Sequence, residues 1–350
     1  MAFFEINNVC LRGIASCVPK KVENNTDYAG FCDGEAERFI ASTGVEQRRL
    51  VEGNTCTSDL CYHAAERLMQ DLNWSKDEIN CLVFVSQTPD YQLPATACIL
   101  QERLQLNSEC LALDISLGCS GWIYGLNVVA SMLSASGLTK GLVLSGDTSS
   151  CRCSKNDKST YPLFGDAGTA TALEFNNDKK LKFHAATDGS GWEAIIIPDG
   201  GARNPITQDS FLVKTTDPKI ERNNLQLRLE GMDVFSFGIS KAPQSVNGLL
   251  QYFKLDKDQI DYFLFHQANL FMNENIRKKL KLSKEKVPYS LNNFGNTSSA
   301  SIPLTITTQL KDKLYDSPKR IVACGFGVGL SWGSVYFETE EFVCSDLIEI

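Results

Sequence analysis

WSKDEINCLVFVS, at residues 74–86, aligns without a gap with LDKDQIDYFLFHQ, at residues 255–267, matching Lys76 with Lys257, Asp77 with Asp258, Ile79 with Ile260 and Phe84 with Phe265. In both, a polar turn leads into a short apolar run of strand character. A second echo follows in the same order. GCSGWIYGL (118–126) precedes the strand-like GLVLSGD (141–147), and GNTSSASIPL (295–304) precedes RIVACGFG (320–327). Two matching segments in the same order and at similar spacing predict an internal duplication. The division is placed near the polar run FNNDKKLK (175–182), giving an N-terminal half, 1–178, that carries Cys119 and a C-terminal half, 179–350, that carries His266 and Asn296.

Working outward, β-rich apolar runs are expected at 111–115, 141–144, 194–197, 262–265 and 320–323. Longer segments of helical period lie between them, such as 60–72 and 122–133, where Ile123, Leu126, Val129 and Leu133 share a face. Strands that are apolar on both faces belong in a sheet covered by helices on both sides. The expected fold is α/β, two duplicated βα halves in a layered α-β-α-β-α arrangement. Equivalent strand ends from both halves then converge, which is where open α/β sheets bind ligands.

Bulk properties narrow the function. The chain has 350 residues, 43% hydrophobic and 22% charged, without an apolar run long enough to cross a bilayer. Its first residues have neither the basic nor the apolar region of an export signal, so a cytoplasmic location is expected. A formal net charge of −8 argues against a nucleic-acid-binding protein. Thirteen cysteines, odd in number and scattered, read as reduced thiols, with Cys10, Cys17, Cys81, Cys98 and Cys324 inside apolar stretches. Cys151-Arg-Cys153 lacks the second pair or nearby histidine of a zinc site. In CGFGVGLSWGS (324–334) the alternating glycines lead into SWGSVYFE, which alternates like a strand; a dinucleotide site needs a helix there and is rejected.

Three side chains remain as candidates for chemistry. Cys119, in DISLGCSGWIYGL (114–126), stands where a strand-like run gives way to a helical one. Its sulfur is expected at a helix N-terminus, where unpaired N–H groups favour thiolate and lower the pKa. Gly118 and Gly121 permit the sharp turn and close substrate approach. Of three histidines, His63 and His184 read as packing or surface residues, whereas His266 ends the apolar strand DYFLFH and faces the crevice as an acid–base candidate. Asn296, in LNNFGNTSSASIP (291–303), can donate to a developing oxyanion, and Gly329 can supply a backbone N–H. Each also has a structural reading: a core thiol, a satisfied core histidine, a turn or N-cap amide.

The ordered set TGVEQRR (43–49), TPDYQLPATACILQERL (88–104), DISLGCSGWIYGL (114–126), LFGDAGTATAL (163–173), DGSGW (188–192), HQAN (266–269), NNFGNTSSASIP (292–303) and GFGVGLSWGS (325–334) resembles β-ketoacyl-acyl carrier protein synthase III, a condensing enzyme of the thiolase fold. The resemblance implies that Cys119 is the nucleophile and His266 and Asn296 the decarboxylating pair. It also implies that Gly329 shares an oxyanion hole with the Cys119 N–H and that Asn269 contacts substrate. A homodimer is implied, with Leu93 reaching into the partner's acyl pocket. No permanently bound cofactor is implied; acyl-coenzyme A or acyl-carrier protein, and malonyl-carrier protein, enter as substrates. Two departures stand out. Arg38, or Phe39 with a one-residue shift, replaces a tryptophan that clamps coenzyme A, and Phe271 replaces an arginine, which favours a carrier-bound starter.

The basic run NENIRKKLKLSKEK (273–286) offers Arg277, Lys278 and Lys281 as a docking patch for an acidic carrier protein, against the alternative of a solvated helix with a Glu274–Lys278 pair. Two rival activities share the residues: a non-decarboxylating acyltransferase of the same fold, serving a specialised lipid, polyketide or glycan pathway, and a papain-like protease. The second needs a secretory setting that the sequence does not signal. A non-enzymatic scaffold is the third alternative.

Overall fold

The computed structural model describes residues 2–217 and 220–350. Eight main strands, β1 (Ala2–Val18), β2 (Cys81–Val85), β3 (Leu111–Ile115), β4 (Lys140–Asp147), β5 (Ala167–Thr187), β6 (Tyr262–Phe265), β7 (Arg320–Gly327) and β8 (Ser331–Glu338), are hydrogen-bonded in the order β6-β7-β8-β5-β4-β2-β3, with β1 along β5. The principal helices are α1 (Thr57–Leu72), α2 (Thr96–Arg103), α3 (Gly121–Ser136), α4 (Gly231–Tyr252), α5 (Leu270–Lys279) and α6 (Ser301–Gln309).

Both sequence echoes recur as structural ones. Short 3-10 turns, Lys76–Glu78 and Lys257–Gln259, lead into β2 and β6. β2 pairs parallel with β4, which pairs antiparallel with the first part of β5; β6 pairs parallel with β7, which pairs antiparallel with β8. The polar run at 175–182 lies inside β5, a strand that both halves share. Its beginning pairs with β4 and its end with β8, while β1 follows it throughout, with register shifts between Asn7 and Val9 and between Leu11 and Gly13. The halves are therefore sets of strands joined by one long antiparallel pair.

Period-two alternation in the strands produces the layers. Val83, Val85, Val143, Leu264, Ile321, Ala323, Val335 and Phe337 join one apolar cluster with Trp122, Ile123, Leu126 and Val129 of α3 and Ile302 and Ile306 of α6. The alternate positions Leu82, Phe84, Leu142 and Leu144 face α1 and α2. Phe263, Phe265, Val322 and Cys324 face α4 and α5. The outcome is helix, sheet, central helices, sheet, helix, with α3 and α6 between the halves. The four residues expected on one face of α3 are all fully buried or within 1% of it.

Some local expectations change. Of 194–197 only Ile195–Ile196 is a strand, in a ribbon with Arg228–Leu229, because a 3-10 turn over Gly189–Ala194 takes up the preceding residues. α1 starts at Thr57, where the Asp59 carboxylate accepts the Cys56 N–H at 2.8 Å. Cys98 is exposed on α2, whereas Cys10, Cys17, Cys81 and Cys324 are buried as expected; the exposed face of a surface helix carries it out of the core. None of the helices is long and apolar enough to cross a membrane among the described residues.

Leu126 is fully buried in the central layer. Leu126→Ala is expected to cost about 2–5 kcal/mol, from lost burial plus the cavity left behind, read as a lowered denaturant midpoint.

Candidate active site

Cys119 occupies the turn between β3 and α3, one residue before the helix's N-cap, Ser120. Gly118 O accepts the Gly121 N–H at 2.6 Å, and Ser120 Oγ lies 2.6 Å from Ser331 Oγ. The end of β7 presses on this turn. A Cβ at Gly327 would lie 2.5 Å from Cys119 Cβ and 2.8 Å from its Sγ, and one at Gly325 would lie 2.9 Å from Cys119 O. These glycines are required by close approach.

The expected lowering of the Cys119 pKa is not what the site produces. Burial, with the Asp147 carboxylate adding to it, pushes the thiol up to about 11, against hydrogen bonds from Ser298 and from the Val328 and Cys119 backbone. The partial charge of a helix end is outweighed by the cost of placing a full charge in a dry site.

His266 follows β6 directly and is 2% exposed. Its Nδ1 lies 2.8 Å from Ser301 Oγ, which also accepts the Gln267 N–H at 3.3 Å. The Ser301 hydroxyl proton is thus aimed at Nδ1, leaving Nε2 as the N–H donor. Burial lowers the His266 pKa to about 3, although a hydrogen bond with the Ser298 backbone works the other way. The imidazole is neutral at physiological pH.

Asn296 is tied to both halves. Its N–H donates to Leu163 O at 2.9 Å, and its carbonyl accepts the Gly165 N–H at 3.1 Å. Its Oδ1 accepts the Ser298 N–H at 2.9 Å, which fixes the amide and leaves Nδ2 as the donor, with a long contact to Ala268 O at 3.5 Å. Gly165 and Gly295 permit this crossing: a Cβ would come within 2.1 Å of Phe294 O and 2.7 Å of Leu163 O, respectively.

Cys119, His266, Asn296 and Asn269 line one cavity of about 630 Å³, together with Asp147 and Ser298. Its walls are mostly apolar, among them Leu163, Phe164, Ile196, Leu229, Phe235 and Met272. Asn269 caps α5, its Oδ1 accepting the Met272 N–H at 2.8 Å.

Other expected residues fall elsewhere. Gly329 does not line the cavity; Val328, one residue earlier, does, and its backbone is the one that reaches the Cys119 sulfur. Val328 directly follows the end of β7 at Gly327, and the turn brings it into the cavity lining. Leu93 is 82% exposed and lies outside this chain's cavity. The Arg277 guanidinium is occupied: it forms a two-bond pair with Glu274 at 2.8 Å and donates to Leu282 O at 2.6 Å, so Glu274 pairs with Arg277 and not with Lys278, the pairing weighed as the alternative to a docking patch. Lys278 and Lys281 are exposed. His63 is exposed and His184 buried, both outside the cavity. Cys151 is exposed while Cys153 is buried, and the described residues contain no cluster of three metal-ligating side chains.

Four positions at the site escaped the sequence: Asp147, Ser298 and Val328, which line the cavity, and Ser301, which meets His266. Asp147 ends an apolar strand at the crevice, the same signal that singled out His266. The two serines were hidden in a run that reads as a loop.

A buried thiol, a neutral imidazole and an oriented amide around one apolar cavity between two duplicated halves define a condensing enzyme of the thiolase fold. Family models for 3-oxoacyl-[acyl-carrier-protein] synthase III match residues 113–189 and, for its C-terminal part, 250–339. The β-ketoacyl-[acyl-carrier-protein] synthase III of Rhodopirellula baltica is 33% identical, covering 95% of this chain and 99% of its own. That of Caldanaerobacter subterraneus subsp. tengcongensis is 32% identical, covering 92% and 95%. The crystal structure of a 3-oxoacyl-(acyl-carrier protein) synthase from Burkholderia xenovorans LB400 is 39% identical and superposes with a TM-score of 0.93, covering 100% of this chain and 99% of that one. The chain belongs to the β-ketoacyl-acyl carrier protein synthase III family.

Gly327→Ala places a methyl group against the Cys119 side chain. Alkylation of Cys119 by iodoacetamide and turnover are both expected to fall about 100-fold, with far-ultraviolet circular dichroism retained.

Proposed function

We propose that Cys119 takes an acyl group from a thioester and that the acyl-enzyme condenses, with loss of carbon dioxide, with malonyl-carrier protein to give a β-ketoacyl thioester. The observation that carries this reading is the shared cavity of Cys119, His266 and Asn296, with the histidine neutral. In the first half, the Cys119 sulfur adds to the thioester carbonyl, the Cys119 and Val328 N–H groups hold the oxyanion, and the carrier thiol leaves. In the second, His266 Nε2–H and Asn296 Nδ2–H donate to the malonyl thioester oxygen. Decarboxylation moves electrons onto that oxygen, and neutral donors stabilise the enolate without first having to release a proton. The carbanion then attacks the acyl carbonyl on Cys119, and the sulfur departs.

The cavity rim supports a carrier-bound starter. Phe271, 58% exposed, stacks on Phe235 at 5.3 Å, and Met232 is exposed beside them in the same lining. Arg152 is an exposed lining cation, suited to the single phosphodiester of a phosphopantetheine arm. Lys278 and Lys281 complete a surface for an acidic carrier. A homodimer fits the same reading, with a second copy against β3, whose residues are only half-buried, and near the exposed Leu93.

The two halves of the reaction separate by mutation. Cys119→Ala is expected to abolish the acyl adduct in intact mass spectra while labelled carbon dioxide is still released from malonyl-carrier protein. His266→Ala or Asn296→Ala is expected to form the adduct and lose the carbon dioxide, by about 100-fold or more. Since the neutral form of His266 is the active one and its pKa lies near 3, release should show no acid limb near pH 6.5. Adduct formation without carbon dioxide release by the wild type would favour the non-decarboxylating acyltransferase.

A further inference from the structure

The proposed acylation needs the Cys119 proton to go somewhere, and the geometry around the sulfur does not direct it to His266. The imidazole's Nδ1 faces Ser301, and with Nε2 carrying the ring proton neither nitrogen is placed to accept another. The side chain facing the Cys119 sulfur is Ser298, with Oγ 4.0 Å from Sγ. Ser298 holds a left-handed backbone, φ 51°, uncommon for a residue with a side chain. The Asn296 Oδ1 that accepts its N–H contributes to this conformation. Gly118 leaves the space, since a Cβ there would lie 3.2 Å from Ser298 Oγ.

Behind Ser298 stands Asp147, 1% exposed at the end of β4, lining the same cavity and accepting the N–H of the next residue, Ser299, at 3.5 Å. Its carboxylate also accepts from the Gln87 N–H at 2.7 Å, Ser86 Oγ at 3.1 Å, Ser299 Oγ at 3.2 Å and Thr88 Oγ1 at 3.3 Å. All of these are neutral donors, and among the described residues no ion pair includes Asp147. Titratable groups facing it are the Cys119 thiol and, from α1, the Cys61 thiol. A thiolate formed beside an ionised Asp147 would put two negative charges in one buried site. Passing the proton to that carboxylate moves the single charge from oxygen to sulfur and adds none.

We propose that Ser298 and Asp147 form the proton path of Cys119, Ser298 relaying the thiol proton and Asp147 storing it. This rests on the reading that Cys119 is acylated. The S–H bond breaks toward Ser298 Oγ as the Ser298 proton passes to Asp147, and the sulfur adds to the thioester carbon. When the tetrahedral intermediate collapses, the departing carrier thiolate takes a proton from Ser298, which recovers one from Asp147. Atoms and charge balance, and the carboxylate is regenerated.

The test compares the full-length wild type with Ser298→Gly, which keeps the left-handed backbone without strain, and Asp147→Asn, which keeps the shape. Two rates are followed from pH 6 to 9: alkylation of Cys119 by iodoacetamide and single-turnover acylation by an acyl-carrier thioester. Acylation is expected to fall about 100-fold near neutral pH in both variants and to recover steeply as pH rises, because hydroxide then replaces the path; alkylation is expected to fall in Ser298→Gly, which loses the sulfur's hydrogen-bond partner, and to rise in Asp147→Asn, which removes the charge that raises the thiol. Wild-type rates in either variant, or a uniform loss at every pH as a structural defect gives, would overturn the relay. If the wild type accepts no acyl thioester, the reading of the function fails, and alkylation still decides the relay.

Discussion

The contact between the end of β7 and the Cys119 turn is the constraint on which the site depends. A strand from one half must approach the backbone of the other closely enough that Gly325 and Gly327 leave no room for a side chain. That approach carries Val328 to the sulfur, and it is possible only because α3 and α6 fill the space between the two sheet halves with a continuous apolar layer. Packing far from the thiol therefore sets the thiol's surroundings. On the opposite side, Asn296 closes the site through backbone bonds to Leu163 and Gly165, so that the halves are stitched at the point where chemistry is proposed.

Burial then decides the electrostatics. It raises the thiol, lowers His266 and pushes the Asp147 carboxyl up. A dry cavity of this kind resists every isolated charge, and the same resistance makes neutral donors effective where negative charge develops on a substrate oxygen. The helix end behind Cys119 is too weak a source of positive potential to ionise the sulfur alone. Ionisation has to be coupled to a nearby acceptor or to the arriving thioester.

Much of this was legible in the sequence because it rests on local pattern. The gapless echo of 74–86 in 255–267 marked two equivalent turn-to-strand units, and continuous runs apolar on both faces, such as Cys81–Val85, carried the layered fold. Cys119, His266 and Asn296 stood out because each follows a strand or opens a helix. What was not legible depends on distance. Only the fold shows that Val328 and not Gly329 lines the cavity, and only packing shows that Arg277 is spent on Glu274. The thiol's pKa was misjudged because helix position can be read from spacing, whereas desolvation and the charge of Asp147 cannot.

The central claim is that one thiol among thirteen cysteines, brought against a neutral histidine and an oriented amide, carries the acyl group. Peptide mapping of the protein after brief exposure to an isotopically labelled acyl-carrier thioester tests it most directly. The account predicts a single label, on the peptide containing Cys119. A label confined to another residue, such as the exposed Cys32, Cys98 or Cys151, would contradict it.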